Sequence, residues 1–128
     1  ADSITPIRQA GQMELVDAET PVEIADGVEL LPTPGHTPGH VSVRISSAGE
    51  TALVTGDFLH HPIQLAHPRL CCGVDVDPAL SERTRETILS SIADTETLLL
   101  GSHFTYPTGG RVRSTATGFV LDSATAIP

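Results

Sequence analysis

A chain of 128 residues suits one domain with a single core. Apolar residues at 39% with eleven glycines give an ordinary globular composition, which argues against disorder, and no run approaches the roughly 20 apolar residues of a membrane span. The formal charge of −9, with only seven scattered Lys and Arg, repels phosphate backbones and argues against nucleic acid as a partner.

The first residues, Ala1-Asp2-Ser3-Ile4, hold no basic stretch followed by an apolar one, so no secretory signal is expected. Without an initiator Met, the start is expected to mark a processing site, a cloning boundary or a proteolytic cut. Val22 to Ala25 and Val28 to Leu31 flank Asp26-Gly27, a dipeptide suited to the primed turns of a β-hairpin. The run from Pro32 to His40, with three prolines and two glycines, is a loop at a strand end. Val41 to Ile45 alternates as a strand with one buried face, Ala48-Gly49-Glu50 turns the chain, and Ala52 to Thr55 delivers Gly56-Asp57.

Cys71 and Cys72 are adjacent, too close for ordinary disulfide geometry, and read as reduced thiols of a cytoplasmic protein. Asp77-Pro78 supplies an N-cap and a first-turn proline for a helix to Ala93, with Leu80, Ile88, Leu89 and Ile92 on one face. Thr97 to Leu100 is a short apolar strand ending in Gly101-Ser102-His103, and Arg111-Val112 and Gly118 to Leu121 look like late strands. Strands with one strong helix between them predict an α/β layered fold.

His36, Asp57 and His103 share one context, since each follows the carboxyl end of a predicted strand. Such ends can converge on one rim, where loops project functional side chains. Imidazole and carboxylate are donors that Zn²⁺ accepts. Singly, a His or Asp near a strand end is more often just solvated. Together, Thr33-Pro34-Gly35-His36-Thr37-Pro38-Gly39-His40, Thr55-Gly56-Asp57 and Gly101-Ser102-His103 resemble, in order and separation, the later motifs of the metallo-β-lactamase superfamily. The resemblance runs from about Ile4 to about Leu121.

It implies that residues 1–128 are a single domain, the carboxyl-terminal half of that family's αββα sandwich, with a mixed β-sheet flanked by helix. It further implies that His36 ligates a first metal, Asp57 bridges two, and His103 ligates the second. His40 is similar to the family's following histidine, which supports the loop. Zinc is the expected ion, two per complete site, with iron or manganese as substitutes. Gly35 and Gly39 are expected to let the loop fold tightly enough to aim His36 inwards. The family's earlier motif, His-x-His-x-Asp-His, does not occur here, and the first histidine is already His36.

The stretch from Phe58 to Pro68 is similar to the subgroup of lactone and organophosphate hydrolases. Many of its lactonases carry a tyrosine three residues after the bridging aspartate, where this chain has His60. A neutral imidazole there can contact substrate oxygen or shuttle a proton, so Asp57 and His60 are the expected catalytic residues. His61 and His67 either line the site or bond backbone, and Tyr106 either walls a pocket or packs ordinarily.

The implied activity is hydrolysis of a small ester, lactone or related substrate by a metal-activated water, with this chain supplying part of the site. The alternative is a truncated, non-catalytic domain that needs a partner half and binds metal weakly or not at all. The isolated chain is expected to be inactive. A lone half would expose an apolar sheet face, so its expected partners are the missing amino-terminal half or a second copy. Thioesterases, nucleases and oxidoreductases also occur in the superfamily, and the acidic charge argues against a nuclease.

Overall fold

Chain order is spatial order in this molecule, whose computed structural model describes residues 3–123. After a short helix α1 (Ile4–Gln9), the chain forms β1 (Val22–Ala25), β2 (Val28–Pro32), β3 (Val41–Ser47) and β4 (Glu50–Val54). A 3-10 turn (Gly56–Phe58), α2 (Ile63–Ala66) and α3 (Pro78–Ile92) follow, then β5 (Leu98–Leu100), β6 (Gly109–Ser114) and β7 (Phe119–Asp122). The seven strands make one mixed sheet in the order β1 to β7. All neighbours are antiparallel except β4 and β5. A parallel pair needs a crossover, and the segment from the 3-10 turn through α3 is that crossover.

These pairings give β2, β4 and β5 one common direction, so their carboxyl ends lie at the same rim. The register sorts the sheet's faces. Leu53, Leu99 and Val112 point toward α3 and form the core with Leu89, Phe58, Leu59, Leu65 and Phe104, while Leu31, Phe119 and Leu121 pack at its edge. On the opposite face Val22, Leu30, Val43, Val54 and Leu100 pair in one row across five strands. Ile45 on that face is 40% exposed. Both faces are therefore apolar, but α3 covers only one.

The predicted strands and the helix all form, with ends shifted by one or two residues. The sequence does not predict α1, because the segment carries no apolar stripe, and none of its residues is buried. Ser47 pairs with Glu50 around Ala48 and Gly49, both at positive φ, as the primed two-residue turn requires. The β1–β2 turn is different. Only Gly27 has positive φ, and a register shift lies between Glu23 and Ala25, so this turn is not primed. Its physical reason is the neighbouring strand: Ser46 donates its N–H to the Gly27 carbonyl at 2.8 Å, and a Cβ on Gly27 would meet the Ser46 carbonyl oxygen at 2.3 Å.

α3 begins as its sequence predicts, with Asp77 accepting the Leu80 N–H at 2.9 Å and Pro78 in the first turn. Its buried stripe is another matter. Ser81, Thr84, Arg85 and Leu89 are buried, whereas Leu80, Ile88 and Ile92 are only partly so. The first half of the helix packs on loops whose carbonyls need donors, so buried polar groups stand where an apolar stripe is expected.

Candidate metal centre

Three loops meet at the shared rim. The β4 and β5 ends are laced together first: Thr55 donates its N–H to the Leu100 carbonyl at 2.9 Å, Ser102 donates its N–H to Thr55 Oγ1 at 3.1 Å, and Gly56 donates to Ser102 Oγ at 3.0 Å. This fixes the relative positions of Asp57 and His103, which follow those ends. The loop after β2 is stitched to α3: Thr84 Oγ1 donates to the Pro34 carbonyl at 2.6 Å and Asp77 N–H to the Gly35 carbonyl at 2.9 Å. Gly35 has φ +134, and a Cβ there would lie 2.4 Å from the Ser81 backbone. Only glycine seats the loop this closely. Gly39, expected to share this role, does not: its φ is not positive, and an added Cβ would make one ordinary contact, with Ala18.

The result brings His36, Asp57 and His103 to one point. Asp57 Oδ1 faces His103 Nε2 at 2.5 Å, and Asp57 Oδ2 faces His36 Nε2 at 3.5 Å, so its two oxygens address different imidazoles. Hydrogen bonding to His103, and the nearby imidazoles, hold the Asp57 carboxyl below the usual range despite some burial. His60 joins them. Its ring stacks on His103 with centroids 4.9 Å apart and planes 14° from parallel, and it tilts against His36 at 5.1 Å. Burial and the neighbouring His103 lower its pKa, which favours a neutral ring.

His40 lies beneath this group. Its Nε2 accepts the Asp57 backbone N–H at 2.8 Å, so the proton sits on Nδ1, which donates to the Thr33 carbonyl at 3.0 Å. Burial lowers its pKa and keeps it in that neutral form. His40 thus positions Asp57 from behind. Gly56 makes this possible: with φ +57, its missing side chain leaves the space where a Cβ would stand 2.7 Å from His40 Nε2.

Two residues that sequence reasoning missed hold His36. The Asp75 carboxylate, fully buried, meets His36 Nδ1 at 3.0 Å and accepts the Cys72 N–H at 3.0 Å. With Nδ1 facing this carboxylate, Nε2 is directed at Asp57, the arrangement by which carboxylates orient metal-binding histidines. Arg85, also fully buried, is 3.9 Å from Asp75 and donates to the carbonyls of Phe58 and Pro68 and to Ser81 Oγ. The only sequence signal for Asp75 is its place two residues before the α3 cap, which is too general to find it.

His61 and His67 are not brought to the cluster. His61 is exposed and its Nδ1 accepts the Ile63 N–H at 3.1 Å, at the start of α2, while His67 is exposed at that helix's end. Tyr106 is 95% exposed, so it neither walls a pocket nor packs. Two concavities lie away from the cluster, one of about 440 Å³ between α2 and β7 and one of about 780 Å³ at the opposite end of the strands. Among the described residues, the His and Asp donor atoms close enough together to hold a metal ion lie at the rim.

The donor set fits a divalent transition ion. One ligand atom each of Asp57, His60 and His103 lies within 4.8 Å of the others, and His36 is aligned through Asp75. Among the described residues no helix is long and apolar enough to cross a membrane.

Residues 6–113 match the family model of the Metallo-beta-lactamase superfamily. No curated protein sequence matches the chain. Among solved structures, it is similar to the hydrolase AbOPH of the beta lactamase superfamily, with TM-score 0.83 and 23% identity over 93% of this chain and 40% of that one. It is similar also to AidC, a dizinc quorum-quenching lactonase, with TM-score 0.80 and 22% identity over 99% of this chain and 47% of that one. A probable metal-dependent hydrolase from Staphylococcus aureus gives TM-score 0.72 and 20% identity, over 89% of this chain and 41% of that one. The chain spans less than half the length of each, and at these identities the likeness is one of fold.

Proposed function

The chain belongs to the metallo-β-lactamase superfamily, and we propose that it supplies part of the site of a zinc-dependent hydrolase acting on a small ester, lactone or related substrate. The observation that carries this is the Asp57 carboxylate, whose two oxygens face His36 and His103 separately. His36, Asp57 and His103 would hold the metal, with Asp57 shared between two ions in a complete site. The chemistry such an ion supplies when bound is Lewis-acid activation of water near neutral pH.

The chain's own residues prepare that site. Asp75 holds His36 with Nε2 forward, and His40 holds the Asp57 backbone. Asp57, its carboxyl held below the usual range mainly by the hydrogen bond with His103, is acceptor-only when ionised and can orient an attacking water by taking its hydrogen bond. His60, neutral and beside Asp57 and His103, offers a lone pair at the point where substrate would approach. The uncovered apolar face of the sheet supports a second copy or a further segment packing there, and a monomeric mass in light scattering would count against self-association.

The test measures bound zinc by elemental analysis, and turnover of an ester and lactone panel, for Asp57→Ala beside wild type in the longest protein that carries this chain. Loss of both metal and turnover is expected. Wild-type turnover and metal content in Asp57→Ala would refute the assignment.

A further inference from the structure

His60 stands apart from the other histidines of the rim. Its backbone N–H is held by Gln64 Oε1 at 2.7 Å, and Gln64, itself buried, donates to the Leu70 carbonyl at 2.7 Å. The residue is therefore anchored and not carried on a free loop. His40 uses both ring nitrogens, His36 has Asp75 on Nδ1, and His103 meets Asp57. His60 Nδ1, by contrast, is buried with no hydrogen-bond partner. An imidazole so placed lacks the polar partner that buried nitrogens normally find.

The three rings of His36, His60 and His103 converge on Asp57. Donor atoms of Asp57, His60 and His103 lie within 4.8 Å of one another. An ion with bonds of about 2.1 Å to nitrogen and oxygen spans donors up to about 4.2 Å apart. Closing the remaining fraction of an ångström also requires the His60 and His103 rings, stacked with planes 14° apart, to rotate about their side-chain torsions so that their in-plane lone pairs meet at one point. Two imidazoles and one carboxylate with further positions open are a set that first-row divalent ions accept.

We propose that His60 is a metal ligand, and that Asp57, His60 and His103 hold one first-row divalent transition ion using residues of this chain alone. The proposal rests on the metal centre described above and changes the role of His60 within it, from a group beside the metal to a group on it. It also gives the chain a site that needs no donor from any other segment.

The experiment titrates the metal-free 128-residue chain with Co²⁺, followed by calorimetry and by ligand-field absorption, with His60→Ala, His61→Ala and Asp57→Ala alongside. Wild type is expected to take one ion, and His61→Ala to match it. Removing a residue that merely supports a ligand costs about 10–100-fold in affinity, so His60→Ala should lose at least about 100-fold and change the absorption spectrum. If Asp57→Ala loses Co²⁺ while His60→Ala keeps wild-type affinity and spectrum, this proposal fails and the metal centre stands. If both variants bind as wild type does, the metal centre fails too. Should His60→Ala not fold by circular dichroism, ¹⁵N spectra of the wild-type histidine rings decide: a His60 ring nitrogen shifted by Zn²⁺ supports the proposal, and one left in place overturns it.

Discussion

Removing the Asp75 carboxylate should separate charge balance in the interior from ligand orientation at the rim. Its side chain and that of Arg85 are both fully buried, 3.9 Å apart. Arg85 keeps three neutral acceptors, the carbonyls of Phe58 and Pro68 and the Ser81 hydroxyl, but these satisfy its N–H groups without balancing its charge. Asp75→Ala therefore leaves a buried guanidinium without its carboxylate, a change that costs about 3–5 kcal/mol. That is a large share of the roughly 5–15 kcal/mol by which domains are stable. At about 3–4 °C per kcal/mol for a domain of this size, the Tm should fall by about 10–20 °C.

The same substitution frees His36 Nδ1, so metal affinity should fall by about 10–100-fold even where the protein remains folded. Urea unfolding gives the first quantity and metal titration at low temperature the second. Adding Arg85→Met to Asp75→Ala should restore part of the stability, because the lone charge is removed, but none of the metal affinity. Stability of Asp75→Ala within about 1 kcal/mol of wild type, the scale of an ordinary surface hydrogen bond, would refute the charge-balance reasoning. A double variant no more stable than the single one would do the same.

Gly56→Ala should destabilise by about 2–3 kcal/mol, combining left-handed backbone strain with the lost bond between the Asp57 amide and His40. Gly49→Ala is the control for thermal unfolding: Gly49 also has positive φ, but a Cβ there meets nothing within 4 Å, so only the strain is incurred. Equal losses in the two variants would show that the His40 contact is unimportant. Hydrogen bonds from Ser114 hold the Asp94 carboxyl below its ordinary value of 3.8. Its contribution to stability is therefore present above that value and lost as pH falls through the lower folded one. Asp94→Asn should flatten the acid limb of the stability curve, measured by denaturation at several pH values, and an unchanged limb would count against it.

Local chemistry makes much of the fold legible in the sequence alone. Alternation marks β3, Asp77-Pro78 marks the start of α3, and Ala48-Gly49-Glu50 marks a turn, because each is a property of neighbouring residues, whereas the primed geometry expected at Asp26-Gly27 forms instead at Ala48-Gly49. The motifs around His36, Asp57 and His103 point to the family for the same reason, since each is a short run with its own backbone demands. α3's polar stripe is not legible: Ser81, Thr84 and Arg85 are buried by loops up to fifty residues away in sequence.

What only tertiary structure decided was who faces whom. The common direction of β2, β4 and β5, which comes from two antiparallel pairings through β3 and one parallel pairing of β4 with β5, places three separated loops on one rim. The same packing sets Asp75 on His36, His40 beneath Asp57, and His60 rather than His61 or His67 against His103. A sequence specifies which side chains are offered and where a strand ends. Register, strand direction and the close approach that Gly35 and Gly56 permit are relations between distant segments, and no local pattern encodes them.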